Sequence, residues 1–327
     1  MAIKIANALL AIIGGIGGAM LLYWLLNKLA ESLKGRWEDR VKPWMYAGPA
    51  ILAIGVYLIY PAIVTLQYSF ANEDSTAYVG FKNYTSLLTD PSFLQVLFNN
   101  LLWIIVVPAT TVVLGLGVAV LADRLRPTGE KLSKTFIFLP MAISMVGAAT
   151  IWRFVYYAAP AGQDQIGLQN ALLGVFNKGP VGWLTTSTFH LNSLLLMVVL
   201  LWSQIGFAMV LLSAAVKGVP VDTMEAARID GANEKQIFFR VVVPQIKGTI
   251  ITVYVTVIIG VMKIFDIVYV MTNGNFNTNV VGNEFWNQLN TNFNNGAASA
   301  IVVLLMIAVI PIMIYQVRHF RREEANA

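Results

Sequence analysis

Residues 219–244 read VPVDTMEAARIDGANEKQIFFRVVVP. Local chemistry predicts a short helix, a sharp turn and a second helix. Pro220 suits a first helical turn, and Asp222 and Glu225 complement the positive end of the helix dipole. Gly231 supplies the left-handed conformation that ends a helix. Asn233 is placed to cap the next helix, with Gln236 in capping-box position. The second helix is expected to present Ile237, Phe238, Val241 and Val242 on one apolar face, before Pro244 interrupts it. The small Ala226, Ala227 and Ala232 permit close approach by another surface. A charged hairpin of this kind, set between long apolar stretches, is shaped to protrude from a bilayer and dock.

Those flanking stretches set the fold class. Hydrophobic residues make up 57% of the 327-residue chain and charged residues only 12%, with a mean hydropathy of +0.68. A soluble domain carries about a quarter charged residues, so the surplus apolar surface requires a membrane. Seven stretches are long enough to cross a core of about 30 Å as helices. They run over Ile5–Leu26, Trp44–Leu66, Val96–Ala122, Thr135–Tyr157, Leu191–Ala215, Thr249–Met271 and Ala298–Val317. The reading is an all-α, polytopic membrane protein of about seven transmembrane helices. The first stretch is expected to be a retained helix, its apolar run being longer than the core of a cleaved signal. Four parts follow along the chain: residues 1–43, a first helix with a linker on the inner side; 44–95, a second helix and an external loop; 96–318, a core that includes the hairpin loop at 216–247; and a tail, 319–327.

Basic residues orient these spans. Lys28, Lys34, Arg36, Arg40, Lys42, Arg124, Arg126, Lys131, Lys134, Lys217, Arg228, Lys235, Arg240, Lys247, Arg318, Arg321 and Arg322 fall on one side; Lys4, Lys82 and Lys178 fall on the other. Positive charge accumulates in the cytoplasm. The N-terminus is therefore expected outside and the C-terminus inside. This distribution also accounts for the net charge of +5 without nucleic acid. The outer segment 272–296 is rich in Asn, with Phe276, Phe285, Trp286 and Phe293 interleaved. It fits either a surface that meets sugars and proteins or a solvated loop with interface anchors.

Catalytic chemistry finds few carriers. There are no cysteines, and His190 and His319 stand at opposite faces, which excludes an HExxH zinc site. No catalytic and no metal-ligating residues are assigned. Residues 127–131, PTGEK, lack the spacing and the following hydroxyl of a phosphate-cradling P-loop, so the chain is not expected to hydrolyse ATP. Lys263 and Asp266 lie three apart on the sixth stretch. Ionisable groups within a membrane invite a transport role, but the spacing favours an intrahelical ion pair near the outer end, Lys263 reaching toward headgroups. An intramembrane enzyme remains as an alternative class.

The run Glu225-Ala226-Ala227 with Asp230-Gly231-Ala232 resembles the EAA signature of permease subunits of binding-protein-dependent ABC importers. Pro49–Phe70, Val79–Tyr84, Phe138–Pro140, Ile151–Phe154 and Phe265-Asp266 with Thr272–Gly274 are similar to the carbohydrate-uptake branch, of MalF type. Phe138–Tyr157 and 273–278 look most like α-glucoside permeases. The family's usual Gly-Gly-Pro after the sixth span is replaced. The resemblance implies a type I ABC importer permease fold in the bacterial inner (plasma) membrane and transport of a sugar or glucoside. A permease for a polyamine, phosphate or amino acid is the alternative. It also implies a second permease subunit, two ATP-binding subunits that use ATP and Mg, and an external solute-binding protein, with no cofactor bound by this chain. Glu225, Ala226, Ala227, Asp230, Gly231 and Ala232 would couple to the ATPase. By the same resemblance Ser203, Gln204 and Phe207 would touch solute, with Val257, Gly260, Val261 and Ile264 at the corresponding positions on the sixth span.

Overall fold

The computed structural model describes residues 2–32, 36–160 and 162–326. Among them the only β-pairing is an isolated bridge between Ala71 and Tyr78; the rest of the regular structure is helical. Contacts divide the chain into two compact units, 1–67 and 68–327.

The first unit holds α1 (Ala2–Ser32) and α2 (Arg36–Ile54), which passes through a π-turn (Gly55–Ile59) into α3 (Tyr60–Tyr68). Side chains of α1 from Ile3 to Leu25 are exposed, as a helix solvated by lipid requires. Helix α2 begins at Arg36, so residues 36–43 are helical where a linker was expected. The π-turn lies just ahead of Pro61 and a second one, Phe238–Val242, just ahead of Pro244. Proline has no N–H to give and clashes with the carbonyl one α-turn back. A wider turn relieves both.

The second unit begins with α4 (Lys82–Thr89) and α5 (Pro91–Asp123). Asp90 caps α5 by accepting from the Ser92 backbone N–H (2.9 Å) and hydroxyl (2.6 Å), with Pro91 in the first turn. There follow α6 (Pro127–Phe138), a 3₁₀ turn (Leu139–Ala142), α7 (Met145–Val155), α8 (Leu168–Val175) and α9 (Leu191–Lys217). The hairpin comprises α10 (Val221–Ile229), α11 (Glu234–Ile237), the second π-turn and α12 (Val243–Gln245). Last come α13 (Lys247–Met262), α14 (Asp266–Met271), α15 (Val281–Asn290) and α16 (Asn295–Asn326).

Helices α5, α9 and α13 form the core, with Trp103, Val107, Leu196, Val199, Met209, Leu212, Val253 and Val261 fully buried. A Cβ on Gly115 of α5 would stand 2.6 Å from the Ala208 Cβ of α9. The two helices therefore cross at small residues, the usual way to bring membrane helices together when lipid offers no hydrophobic drive.

Among the described residues, five helices are long and apolar enough to cross a membrane, and two bent pairs bring the number to as many as seven. One bend lies between Glu234–Gln245 and Lys247–Met262 (69°), where the hairpin joins α13. The other bend, and a separate break between α13 and α14, change two expected spans. Thr135–Tyr157 is not one helix: Pro127–Ala142 and Met145–Val155 meet at 102°. Pro140 interrupts the ladder, and the Ser144 hydroxyl starts a new helix by accepting from the Gly147 N–H. Thr249–Met271 is likewise split, because α13 ends at Met262 and α14 starts at Asp266.

Candidate coupling hairpin and solute cavity

The hairpin forms as local chemistry predicts. Gly231 has φ +82°. The Ala232 N–H donates to the Ala227 carbonyl and the Gly231 N–H to the Arg228 carbonyl, both at 3.0 Å. These are the two bonds of a Schellman ending, which satisfy the last carbonyls of α10. Asn233 and Gln236 close a capping box: the Gln236 N–H donates to Asn233 Oδ1 (3.0 Å) and the Asn233 N–H to Gln236 Oε1 (2.9 Å).

Beneath the turn lies a small core of Val219, Ile237, Val242 and Ile246. Met224, Ala227, Ala232, Phe238 and Val241 pack on it, as do Leu116 of α5 and Ile250 of α13. The hairpin is thereby fixed to the helix bundle. Ala227 and Ala232, expected to permit close approach by another surface, are half-buried and also pack on this inner core. Glu225, Ala226, Asp230 and Gly231 remain exposed. Ile229 (87% exposed) and Phe239 (67%) add apolar surface that the sequence reading missed. An apolar Ile229 beside Glu225 and Arg228, outside the inner stripe of α10, was the available signal. Arg228 pairs with Glu234 at 3.0 Å, bracing one helix of the hairpin against the other.

Where α9 meets the hairpin, α5, α6 and α9 share a cluster of charges. Lys134 Nζ lies 2.9 Å from Asp123 Oδ1 and 2.6 Å from Glu130 Oε1. Lys217 pairs with Glu130 and lies 3.6 Å from Asp123. The Ser213 hydroxyl donates to Asp123 Oδ1 (2.9 Å) and accepts from Lys134. Glu130 and Lys134 stand one helical turn apart, the only part of the cluster that sequence spacing could reveal.

A cavity of about 350 Å³ opens between the bent α6/α7 pair, α9 and the end of α13. Gln204 and Phe207 line it, with Val257, Gly260, Val261 and Ile264 facing them and Met141 and Met145 beside them. Ser203, expected with Gln204 and Phe207, does not. It is 1% exposed and donates to the Leu200 carbonyl at 2.8 Å, because α9 turns it toward Met145 and the interior. Lys263 and Asp266 also line the cavity. They are not the intrahelical ion pair expected, since the helix breaks between them and no ion pair joins them.

The Asn-rich segment 272–296 is largely bonded to itself. Asn275 donates to the Thr272 carbonyl, Asn283 to Asn279, and Asn279 to Glu284. Asn99 donates to the carbonyls of Asn277 and Asn279, and Asn192 to that of Phe276. The amides of Asn99, Asn192 and Asn275 thus satisfy carbonyls of a tightly turned backbone. Trp286 joins Phe265 and Tyr269 in an aromatic cluster with ring centroids 5.0–5.9 Å apart.

Broken membrane-spanning helices around a cavity of mixed character, with a rigid hairpin carried at one end, define a permease subunit of the ABC importer class. Residues 111–324 match the family described as binding-protein-dependent transport system inner membrane component, and the chain belongs to it. It is 41% identical to the alpha-glucoside transport system permease protein AglF of Rhizobium meliloti, over 99% of each chain. It is 46% identical to the osmoprotective compounds uptake permease protein GgtC of Synechocystis, over 86% of this chain and 99% of that one. A bacterial alginate ABC transporter, solved with an alginate pentasaccharide-bound periplasmic protein, contains a chain of the same fold. The TM-score is 0.73 at 20% identity, covering 88% of this chain and 98% of that one.

Proposed function

We propose that this protein is the membrane-spanning subunit of an ATP-driven importer that carries a neutral sugar or glucoside into a bacterial cell. The observation that carries the solute class is the likeness to AglF from end to end. The cavity supports it: the Gln204 amide, with no hydrogen bond to any described residue, and the Phe207 ring line the same wall. Amide next to aromatic face suits a solute with hydroxyl edges and apolar faces.

In this reading the chain lies in the inner membrane with Met1 outside and Ala327 in the cytoplasm, following its basic residues. It works with a second permease subunit, two ATP-binding subunits and an external solute-binding protein. ATP and Mg are used by the ATP-binding subunits. The hairpin surface of Glu225, Ala226, Ile229, Asp230 and Gly231 seats on an ATP-binding subunit. The packing of Val219, Ile237, Val242 and Ile246 against α5 and α13 then transmits its movement to the cavity as a rigid body.

The test is ATPase activity of the complete importer in lipid vesicles, screened across maltose, trehalose, sucrose, a polyamine, phosphate and amino acids. Stimulation by a glucoside is expected. Stimulation by one of the other solutes alone would replace the sugar reading with another importer substrate.

A further inference from the structure

The break between α13 and α14 is on the cavity wall, and it holds two ionisable side chains. We propose that Lys263 and Asp266 form a charge-balanced subsite that binds hydroxyls of an uncharged, polyhydroxylated solute and sets the importer's preference for neutral over ionic sugars. The proposal rests on the sugar reading above and adds residues that reading did not assign.

Three observations carry it. The backbone leaves the helix at Lys263 (φ −102°, ψ 17°) and at Phe265 (φ −145°, ψ −60°). Within a membrane, non-helical backbone persists only where it is buried in protein or lines a polar cavity. Had the helix continued, Lys263 and Asp266 would have been neighbours on one face. Split by the break, they both line the cavity, and among the described residues neither side chain makes an ion pair or a hydrogen bond. The other polar side chains on the cavity wall are Gln204 and Thr256, and neither bonds to Lys263 or Asp266.

Ionisable side chains left without a partner on the wall of a cavity, just beyond the end of the apolar α13, are candidates for a place on a solute pathway. A hydroxylated solute satisfies both: Asp266 accepts from O–H groups, and Lys263 donates to hydroxyl or ring oxygens. Gln204 contributes from α9, and Phe207 covers an apolar face of the sugar. Because the two charges cancel, a neutral solute leaves no net charge in the cavity. An acidic sugar adds one beside Asp266.

The experiment uses the complete importer in vesicles with one binding protein throughout, so that differences between variants report the permease. Maltose, trehalose and sucrose are the neutral probes, and methyl α-glucuronide is the acidic competitor. Lys263→Gln and Asp266→Asn are each expected to lower uptake of the transported neutral sugar about tenfold or more, the scale of one lost charge-assisted hydrogen bond. Asp266→Asn should also make the glucuronide a better competitor, because Lys263 is then unbalanced. A purely structural role would not produce that gain. Melting temperature and subunit co-purification separate loss of binding from loss of fold. If Asp266→Asn does not assemble, Lys263→Gln, with its exposed side chain, carries the test. Wild-type uptake with both variants unchanged would overturn this proposal alone. A wild-type importer that takes up none of the three neutral sugars would overturn the sugar reading and this proposal together.

Discussion

Gly231 is where backbone geometry leaves the hairpin least choice. Its φ of +82° is one that β-branched and bulky residues avoid, while a Cβ there would meet nothing within 4 Å. The penalty of a side chain is therefore in the backbone alone, roughly 1–2 kcal/mol for a residue that avoids the left-handed region. Gly231→Asn should retain most uptake, because Asn tolerates that region, and Gly231→Val should lose most of it. The two alanines of the signature should separate in a different way. Ala227→Trp overfills the hairpin's own small core and should lower stability by about 1–3 kcal/mol, read as a lower melting temperature in detergent. Ala226→Trp, on the exposed face, should leave melting unchanged and reduce co-purification of the ATP-binding subunit. In the cavity, Gln204→Ala and Phe207→Ala should each cost solute affinity on the order of 1–3 kcal/mol. Ser203→Ala should change uptake little, since that hydroxyl is buried against the Leu200 carbonyl and Met145 and does not line the cavity. Uptake at varied solute concentration checks all three. Equal losses in the three variants would mean that the cavity is not the solute path.

Among the elements, the charge cluster is what holds α6 against α5 and α9 where the hairpin begins. Lys134 is about four-fifths buried and meets two carboxylates, whereas the side chain of Lys217 is half exposed. Removing Lys134 leaves Asp123 and Glu130 close together with their main partner gone, so Lys134→Met should destabilise by about 1–4 kcal/mol. Lys217→Met should cost less than about 1 kcal/mol. Thermal melting of the purified complex orders the two, and the reverse order would contradict this account of the cluster. The elements also show which features the sequence displays. The hairpin was legible almost bond by bond, because a Schellman ending and a capping box depend on residues within one turn of each other. The breaks at Pro140–Ser144 and Lys263–Phe265 were not. Hydropathy averages over a window and gives the same value for a straight span and a bent one. The helix break is also why the Lys263–Asp266 ion pair did not form and why both residues reached the cavity wall. The self-bonded Asn run at 272–284 was ambiguous for a related reason: a free amide and a satisfied one look alike in sequence.

At the scale of the whole molecule, the long-range arrangement decides what composition could only permit. Apolar stretches established that the chain crosses a membrane, but that Gln204 and Phe207 face Val257 and Ile264 across a cavity depends on how α9 and α13 pack. The proposed orientation predicts that reporter fusions at Gly129 and Lys235 read cytoplasmic and that one at Asn83 reads external. An internal reading at Asn83 would invert the scheme. The central claim is that the hairpin converts ATP hydrolysis elsewhere into movement at the cavity. In the proposed coupling, its packing through Val219, Ile237, Val242 and Ile246 would let it act as a lever and not a tether. Glu225 is exposed on that lever, so Glu225→Lys alters the docking face without touching the membrane spans. The most direct measurement is glucoside uptake and solute-stimulated ATPase activity of the reconstituted importer carrying Glu225→Lys or Gly231→Val. The account predicts that both activities fall together by at least about tenfold, equivalent to roughly 1.4 kcal/mol or more of lost coupling, while the subunit still inserts in the membrane. Wild-type uptake and wild-type stimulation in both variants would contradict it.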